Sequence, residues 1–300
     1  MRKTYRAGLV LIGLMAASPA LASPLPDNIA AMIRAAADTG DAATLKTTAD
    51  LAKKTNPDSA VEIDVLVADL QKAAEDQRLA KLESQGFFQG WKGQGQAGAA
   101  ITTGNTESEG FSLGLNLSKE GVRWRHAILA TADYARENGE TSRNRQFASY
   151  EANYKFNDRW YALGLGSWEH DRFAGFDRRF SETIGVGYTV IKSPDMTLNL
   201  EAGPALRQTR YITGESENKF AGRAALGYAW TINPGIVLTE DATYYGQSGD
   251  STITSITALT LKVRGALSVQ GSFLINHESN PPLGLKQTDT TSRLTLVYGF

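Results

Sequence analysis

From Trp91 to Phe300 apolar side chains return at every second position, and this alternation recurs in twelve segments. A period of two belongs to extended strands with one apolar and one polar face, and no helix can be built on it. The last segment is the plainest. Leu294, Leu296, Tyr298 and Phe300 fall on one face, Arg293, Thr295, Val297 and Gly299 on the other, and the chain stops on an aromatic. Aromatic rings are favoured where a membrane strand meets the bilayer interface. The expectation is a terminal strand of the kind presented to the outer-membrane barrel-assembly machinery, with Phe300 as its last residue. The competing reading is an edge strand of a soluble β protein.

The segments are expected near 90–102, 109–118, 123–135, 146–156, 160–170, 181–191, 196–210, 219–231, 236–247, 252–263, 266–277 and 290–300. Phe111, Leu113, Leu115 and Leu117 oppose Ser112, Gly114 and Asn116, and Tyr150, Ala152 and Tyr154 oppose Glu151, Asn153 and Lys155. The faces of the segments starting at 160 and 236 stay open. Polar faces of this kind need a wet or internally paired interior, because lipid satisfies no backbone or side-chain polar group. The candidate lumen-lining residues are Lys92, Gln94, Arg125, Asp133, Glu151, Glu201, Arg207 and Arg223. For each of them an ion pair that merely fills the interior competes with a transport role.

The connections decide between a stacked sandwich and a closed barrel. Short turns stand at 119–121, 157–158, 192–195, 233–235 and 264–265, rich in Gly, Pro, Asn and Asp. Longer links alternate with them near 103–108, 136–145, 171–180, 211–218, 248–251 and 278–289. This pattern predicts an all-β fold, a transmembrane antiparallel up-and-down barrel of twelve strands, with short turns on the periplasmic side. A strand of about 12 residues, tilted near 40°, rises about 30 Å and covers the apolar band.

The first 90 residues are different. Met1 to Ala22 has a basic start (Arg2, Lys3, Arg6), an apolar stretch and Ala20-Leu21-Ala22, the pattern of a signal peptide cleaved after Ala22. Loss of those three cations leaves 28 basic groups against 32 acidic ones, which gives no reason to expect a nucleic-acid partner. Residues 23–86 read as a helical periplasmic segment. Asp27 and Asp41 are the expected caps of helices to about Asp38 and Lys54, and Ser59 with Glu62 is a capping box for a third over about 60–84. The apolar stripe of this third helix is short: Ile63, Leu66, Val67, Leu70, Ala73 and Ala74. A small periplasmic bundle is the plain reading; a plug or an oligomerisation stalk is the sharper one. Gly86 marks the boundary, with the barrel over 87–300.

The barrel region carries Gly90-Trp-Lys-Gly93, Thr103-Gly-Asn-Thr106, Trp124-Arg-His126, Trp168-Glu-His-Asp171, Gly185-Val-Gly-Tyr188, Glu201-Ala-Gly203, Asn280-Pro-Pro282 and Thr288-Asp-Thr290. In this order the motifs resemble the YdiY-like, salt-induced outer-membrane proteins of DUF481, a domain of unknown function. The resemblance implies an outer-membrane place in a Gram-negative envelope and a response to osmolarity. It implies no substrate and no active site.

One cluster has the composition of a catalytic site. His277-Glu278-Ser279-Asn280 is similar to the His-x-Ser-Asn stretch of outer-membrane phospholipases and lipid A deacylases, in which a histidine activates a serine hydroxyl. Strand parity sets His277 and Ser279 on the lipid face and Glu278 on the other, and Pro281-Pro282 departs from the phospholipase pattern. A non-enzymatic, porin-like envelope barrel is the preferred expectation, with a narrow small-solute pore and an osmotic- or salt-stress role both left open and an open channel not implied; a lipid hydrolase using His277 and Ser279 is the alternative. Glu169, His170, Asp171 and Asp177 match no metal-ligand spacing, and Arg172, Arg178 and Arg179 offer them ion pairs. The absence of cysteine rules out a disulfide scaffold and a thiolate metal site; no metal or cofactor is expected, and the expected partners are outer-membrane lipids and lipopolysaccharide.

Overall fold

The computed structural model describes residues 25–103, 108–137, 140–281 and 284–300. The expected signal peptide with its cleavage after Ala22, and the turn at 104–106, lie outside these residues. Two compact units divide at Lys81 and Leu82, ahead of the boundary expected at Gly86.

The first unit is helical: α1 Asp27–Asp38, α2 Ala42–Thr55, a single 3-10 turn Pro57–Ser59, and α3 Ala60–Ser84, whose last turn lies past the division. Asp41 caps α2, its carboxylate accepting from the N–H groups of Ala43 and Thr44. Asp27 does not cap α1. Pro26 holds that position with an extended backbone, and its carbonyl accepts from Ile29 and Ala30 at 3.0 Å. Asp27 lies instead in the first turn, where its charge meets the positive end of the helix dipole. Ile33, Ala36, Leu45, Ala49, Ala52 and Ile63 form the core, with Leu66, Val67 and Leu70 against it; Ala73 and Ala74 are exposed.

The second unit is a closed barrel of twelve strands: β1 Trp91–Thr103, β2 Ser108–Glu120, β3 Trp124–Glu137, β4 Glu140–Lys155, β5 Trp160–Asp171, β6 Phe176–Lys192, β7 Met196–Tyr211, β8 Ser216–Asn233, β9 Ile236–Gln247, β10 Asp250–Arg264, β11 Leu267–Glu278 and β12 Thr288–Gly299. Each strand pairs antiparallel with its neighbours in sequence, and β1 pairs with β12 to close the wall. The closure is tight at the short-turn end, where the N–H of Gly93 donates to the Phe300 carbonyl and the N–H of Phe300 to the Gly93 carbonyl, both at 2.8 Å.

Several expected loops are paired strand. β4 begins at Glu140, β6 at Phe176 and β8 at Ser216, so most of 136–145 and of 171–180, and half of 211–218, belongs to the wall. The reason is chemical. A period-two hydropathy signal arises only where one face meets something apolar; the extensions at 140–146 and 216–218 carry polar residues on both faces, and at 176–180 a register shift between Phe176 and Arg178 breaks the alternation while the backbone ladder continues. The link between β11 and β12, at 279–287, stays long.

Register fixes the faces, including those left open at β5 and β9. Leu294, Leu296, Tyr298 and Phe300 point outward and stay exposed, as do Phe111, Leu113, Ile184, Val186 and Phe220. Trp160 pairs with Tyr188 on the outer face, and Leu238 with Trp230. The inner face is the reverse: Asp133, Asn153, Arg207, Thr291 and Thr295 are each less than 5% exposed. Glu240 and Glu182 interrupt the outer face. Glu240 accepts from the hydroxyls of Ser255 and Thr257. Glu182 lies one outward position from the paired Trp168 and Phe180 rings, toward the short-turn end.

The β6–β7 ladder breaks at Ile184-Gly185 and Gly203-Pro204, between the pairs Thr183–Ala205 and Val186–Ala202. Pro204 has no N–H to give, so the ladder loses a bond there. Glycine on both sides lets the two backbones come close: a Cβ on Gly203 would meet the Ile184 carbonyl oxygen at 2.1 Å.

Candidate functional site: the charged lumen

The inner face encloses a cavity of about 490 Å³, lined by residues from every strand from β2 to β12. Pro281, Leu285, Lys286 and Gln287 of the long β11–β12 link also line it.

Toward the long-loop end the charges join into a plate that crosses the barrel. Arg293 of β12 donates to Asp133 of β3 at 2.7 Å, and Arg145 of β4 lies 3.9 Å from the same carboxylate. Arg145 pairs with Glu169 of β5 at 2.7 Å and lies 3.9 Å from Asp171. Arg179 of β6 reaches Glu278 of β11 at 2.9 Å. Arg207 of β7 donates to the Thr252 hydroxyl of β10 at 2.8 Å, and that hydroxyl donates to Glu278 at 2.8 Å. Strands 3 and 12, 6 and 11, and 7 and 10 are not neighbours in the wall, so these bonds span the interior. Aromatic rings brace the cations: the Arg179 guanidinium lies 4.0 Å from the Phe176 ring centre and that of Arg207 4.7 Å from the Tyr245 ring centre.

A second cluster lies nearer the short turns. Arg223 donates to Glu201 at 2.9 Å, and the Tyr161 hydroxyl donates to the other oxygen of that carboxylate at 2.9 Å. Arg125 stacks 4.9 Å over the Tyr161 ring, and Asn153 donates to Glu151. Lys92 and Gln94 share a sheet face with Asn116, which lines the cavity, and both are solvent-exposed. Among the eight candidates, then, Asp133 and Arg207 belong to the plate, Glu201, Arg223, Arg125 and Glu151 to the second cluster, and Lys92 and Gln94 stand near the short-turn mouth.

The plate also contains residues that sequence reasoning missed: Arg143, Arg145, Arg179, Glu278 and Arg293. Four of these positions, 143, 145, 179 and 278, fell in expected loops. The available signal was charge at alternate positions, Arg143 with Arg145 and Glu169 with Asp171, on segments adjacent in sequence. Glu169 does pair with an arginine, though with Arg145 rather than the loop cations expected for it. No group of three acids or histidines able to hold a metal ion is found among the described residues.

His277 and Ser279 are engaged separately. The His277 ring contacts the Thr288 hydroxyl at 2.9 Å, whereas the Ser279 hydroxyl donates to Asp250 at 3.1 Å and accepts from the Ser251 N–H at 2.8 Å. No bond joins the imidazole to the serine among the described residues. A serine whose proton is directed at a carboxylate is not aligned for transfer to that histidine.

Solved structures similar to this chain include the NanC porin, at 10% identity, covering 68% of this chain and 98% of that one, with a TM-score of 0.49. An outer membrane channel from Pseudomonas putida F1 covers 70% of this chain and 96% of its own, at 11% identity and a TM-score of 0.45. The uncharacterized protein YdiY of Escherichia coli (strain K12) is 25% identical over 235 residues, covering 78% of this chain and 93% of the relative. The family described as "Protein of unknown function, DUF481" matches residues 95–300, the barrel almost from end to end, and the chain belongs to that family.

Proposed function

We propose that this chain spans the bacterial outer membrane and passes small solutes through a narrow, charge-lined lumen, without catalysing a reaction. The observation that carries this reading is the inside-out distribution of polarity. Ile184 is 70% exposed and Phe220 84%, while the inward Asp133 is 3% exposed. A soluble monomer rarely leaves contiguous apolar patches larger than a few hundred Å² in water. Lipid is the solvent in which such a wall is stable, and a closed barrel is the sheet that leaves no unpaired edge there. Twelve strands stand between small barrels filled by side chains and wide porins. The charged plate narrows this interior without filling it, since a cavity of about 490 Å³ remains.

An envelope that meets changing osmolarity is the setting we assign to such a pore, in keeping with the family resemblance. The refolded full chain in a planar lipid bilayer tests the pore. Discrete conductance steps above those of a protein-free detergent control are expected, and their absence removes the solute-passage reading. Fractionation of cells producing the chain tests the location, and recovery in the soluble periplasmic fraction would overturn it.

A further inference from the structure

We propose that the lumen holds a small oxyanion, a carboxylate or a phosphate, on the guanidinium of Arg207, with Arg143 adding its positive charge to the same cavity. This rests on the solute-passage reading and names the class of solute that would be retained. Six arginines line the cavity. Arg145, Arg179, Arg223 and Arg293 are each ion-paired with a carboxylate. Arg207 and Arg143 are not, among the described residues, although both line the same space and are only 4% and 7% exposed. Arg207 spends one nitrogen on the Thr252 hydroxyl, while its Nε is buried with no partner; the Nε of Arg143 is likewise buried and unpartnered. A buried guanidinium without an anion is costly, and its planar fork of N–H groups matches two oxygens of one carboxylate or phosphate. The rest of the site is built to hold that fork still: Tyr245 lies under the guanidinium of Arg207 and Thr252 fixes one edge. Glu278, which lines the same cavity, is already taken by Arg179 and Thr252.

Binding is read by titration calorimetry on the refolded full chain in detergent, with inorganic phosphate and with acetate as probes and sodium chloride as the reference salt. Because no conductance enters, the seat can fail while the pore stands, or stand while the pore fails. Saturable binding of phosphate, acetate or both, absent for chloride, is expected; which probe binds separates the two oxyanion sources. Arg207→Gln and Arg143→Gln should each weaken it, Arg207→Gln by about tenfold or more, the worth of a lost charge-assisted contact. Glu278→Gln should tighten it, because it frees Arg179. Retention of the barrel by each variant is checked by its heat-modifiable migration on a denaturing gel. If Arg207→Gln does not fold, the opposed effects of Arg143→Gln and Glu278→Gln decide. No binding by the wild type, binding equal to that of chloride, or equal affinities in the wild type and all folded variants would overturn the proposal.

Discussion

Arg179 on β6 donates to Glu278 on β11 at 2.9 Å across the inside of the barrel. Neighbouring strands already share a backbone ladder, so a bond along the wall adds little to closure. A bond across the lumen holds opposite walls at a fixed separation and sets bulk in the path of a solute. Arg179→Ala should therefore raise single-channel conductance above wild type. Its cost in stability should fall between the roughly 1 kcal/mol of an exposed pair and the roughly 3–5 kcal/mol of a buried one. Unchanged conductance would mean that the plate is not the constriction.

The outer face gives a sharper test of the lipid reading. Leu294 lies midway along β12, points outward and is 64% exposed. Leu294→Arg should destabilise the barrel in phospholipid vesicles by about 2–4 kcal/mol, the cost of a cation near the bilayer midplane. Lys92→Glu, inward and solvent-exposed, should stay within about 0.5 kcal/mol of wild type. Denaturant titration of folding into vesicles measures both, and a neutral Leu294→Arg would contradict a lipid-facing wall.

The two tests draw on information of unequal visibility in the sequence. The strand number and the outward rows were legible because large apolar side chains such as Leu294, Leu296 and Tyr298 recur at every second position, and one apolar solvent imposes one period. The plate was only half legible. Asp133 and Arg207 stand in strands whose outer faces are apolar, so parity placed them. Arg143 and Arg145 stand where both faces are polar, and Arg179 stands just past a register shift between Phe176 and Arg178, so parity says nothing for any of them. Nor does any local pattern tell which carboxylate an arginine will reach when the partners are Asp133 and Arg293, 160 positions apart. Such pairs follow from closure of the barrel, a property of the whole chain.

The β6–β7 gap should be intolerant of side chains. At Gly203 an added methyl would lie 2.1 Å from the Ile184 carbonyl oxygen and 2.6 Å from the Gly185 Cα, both backbone atoms that cannot swing aside. Gly203→Ala should cost about 1–3 kcal/mol by overpacking. Gly164→Ala is the matched control, since a Cβ there meets nothing within 4 Å. Equal unfolding midpoints for the two variants would show that the strands can part without loss.

The separate engagement of His277 and Ser279 leads to an expectation about lipid hydrolysis. With the serine proton held by Asp250 and the imidazole on Thr288, Ser279→Ala should leave turnover of phospholipid and lipopolysaccharide, assayed with calcium, at the same baseline as wild type. Turnover by wild type that disappears in Ser279→Ala would restore the hydrolase reading.

The helical unit should carry a pH dependence of its own, traceable to one cap. The Asp41 carboxyl is held below its ordinary pKa, first by the Thr44 hydroxyl and then by the N–H groups of Ala43 and Thr44. Its folded value is thus lower than its unfolded one, near 3.9. A group depressed in this direction contributes stability above its unfolded pKa and loses it as the pH falls through the folded value. Opening of α2, followed by amide hydrogen exchange at Thr44 and Leu45 in the full chain, should therefore become easier below about pH 4. Asp41→Asn keeps a capping oxygen but does not titrate, so it should remove the acid-dependent part while preserving most of the protection at neutral pH. The same acid profile in Asp41→Asn as in wild type would assign the loss to another carboxyl, such as Asp50, which is held below its ordinary value by Lys46.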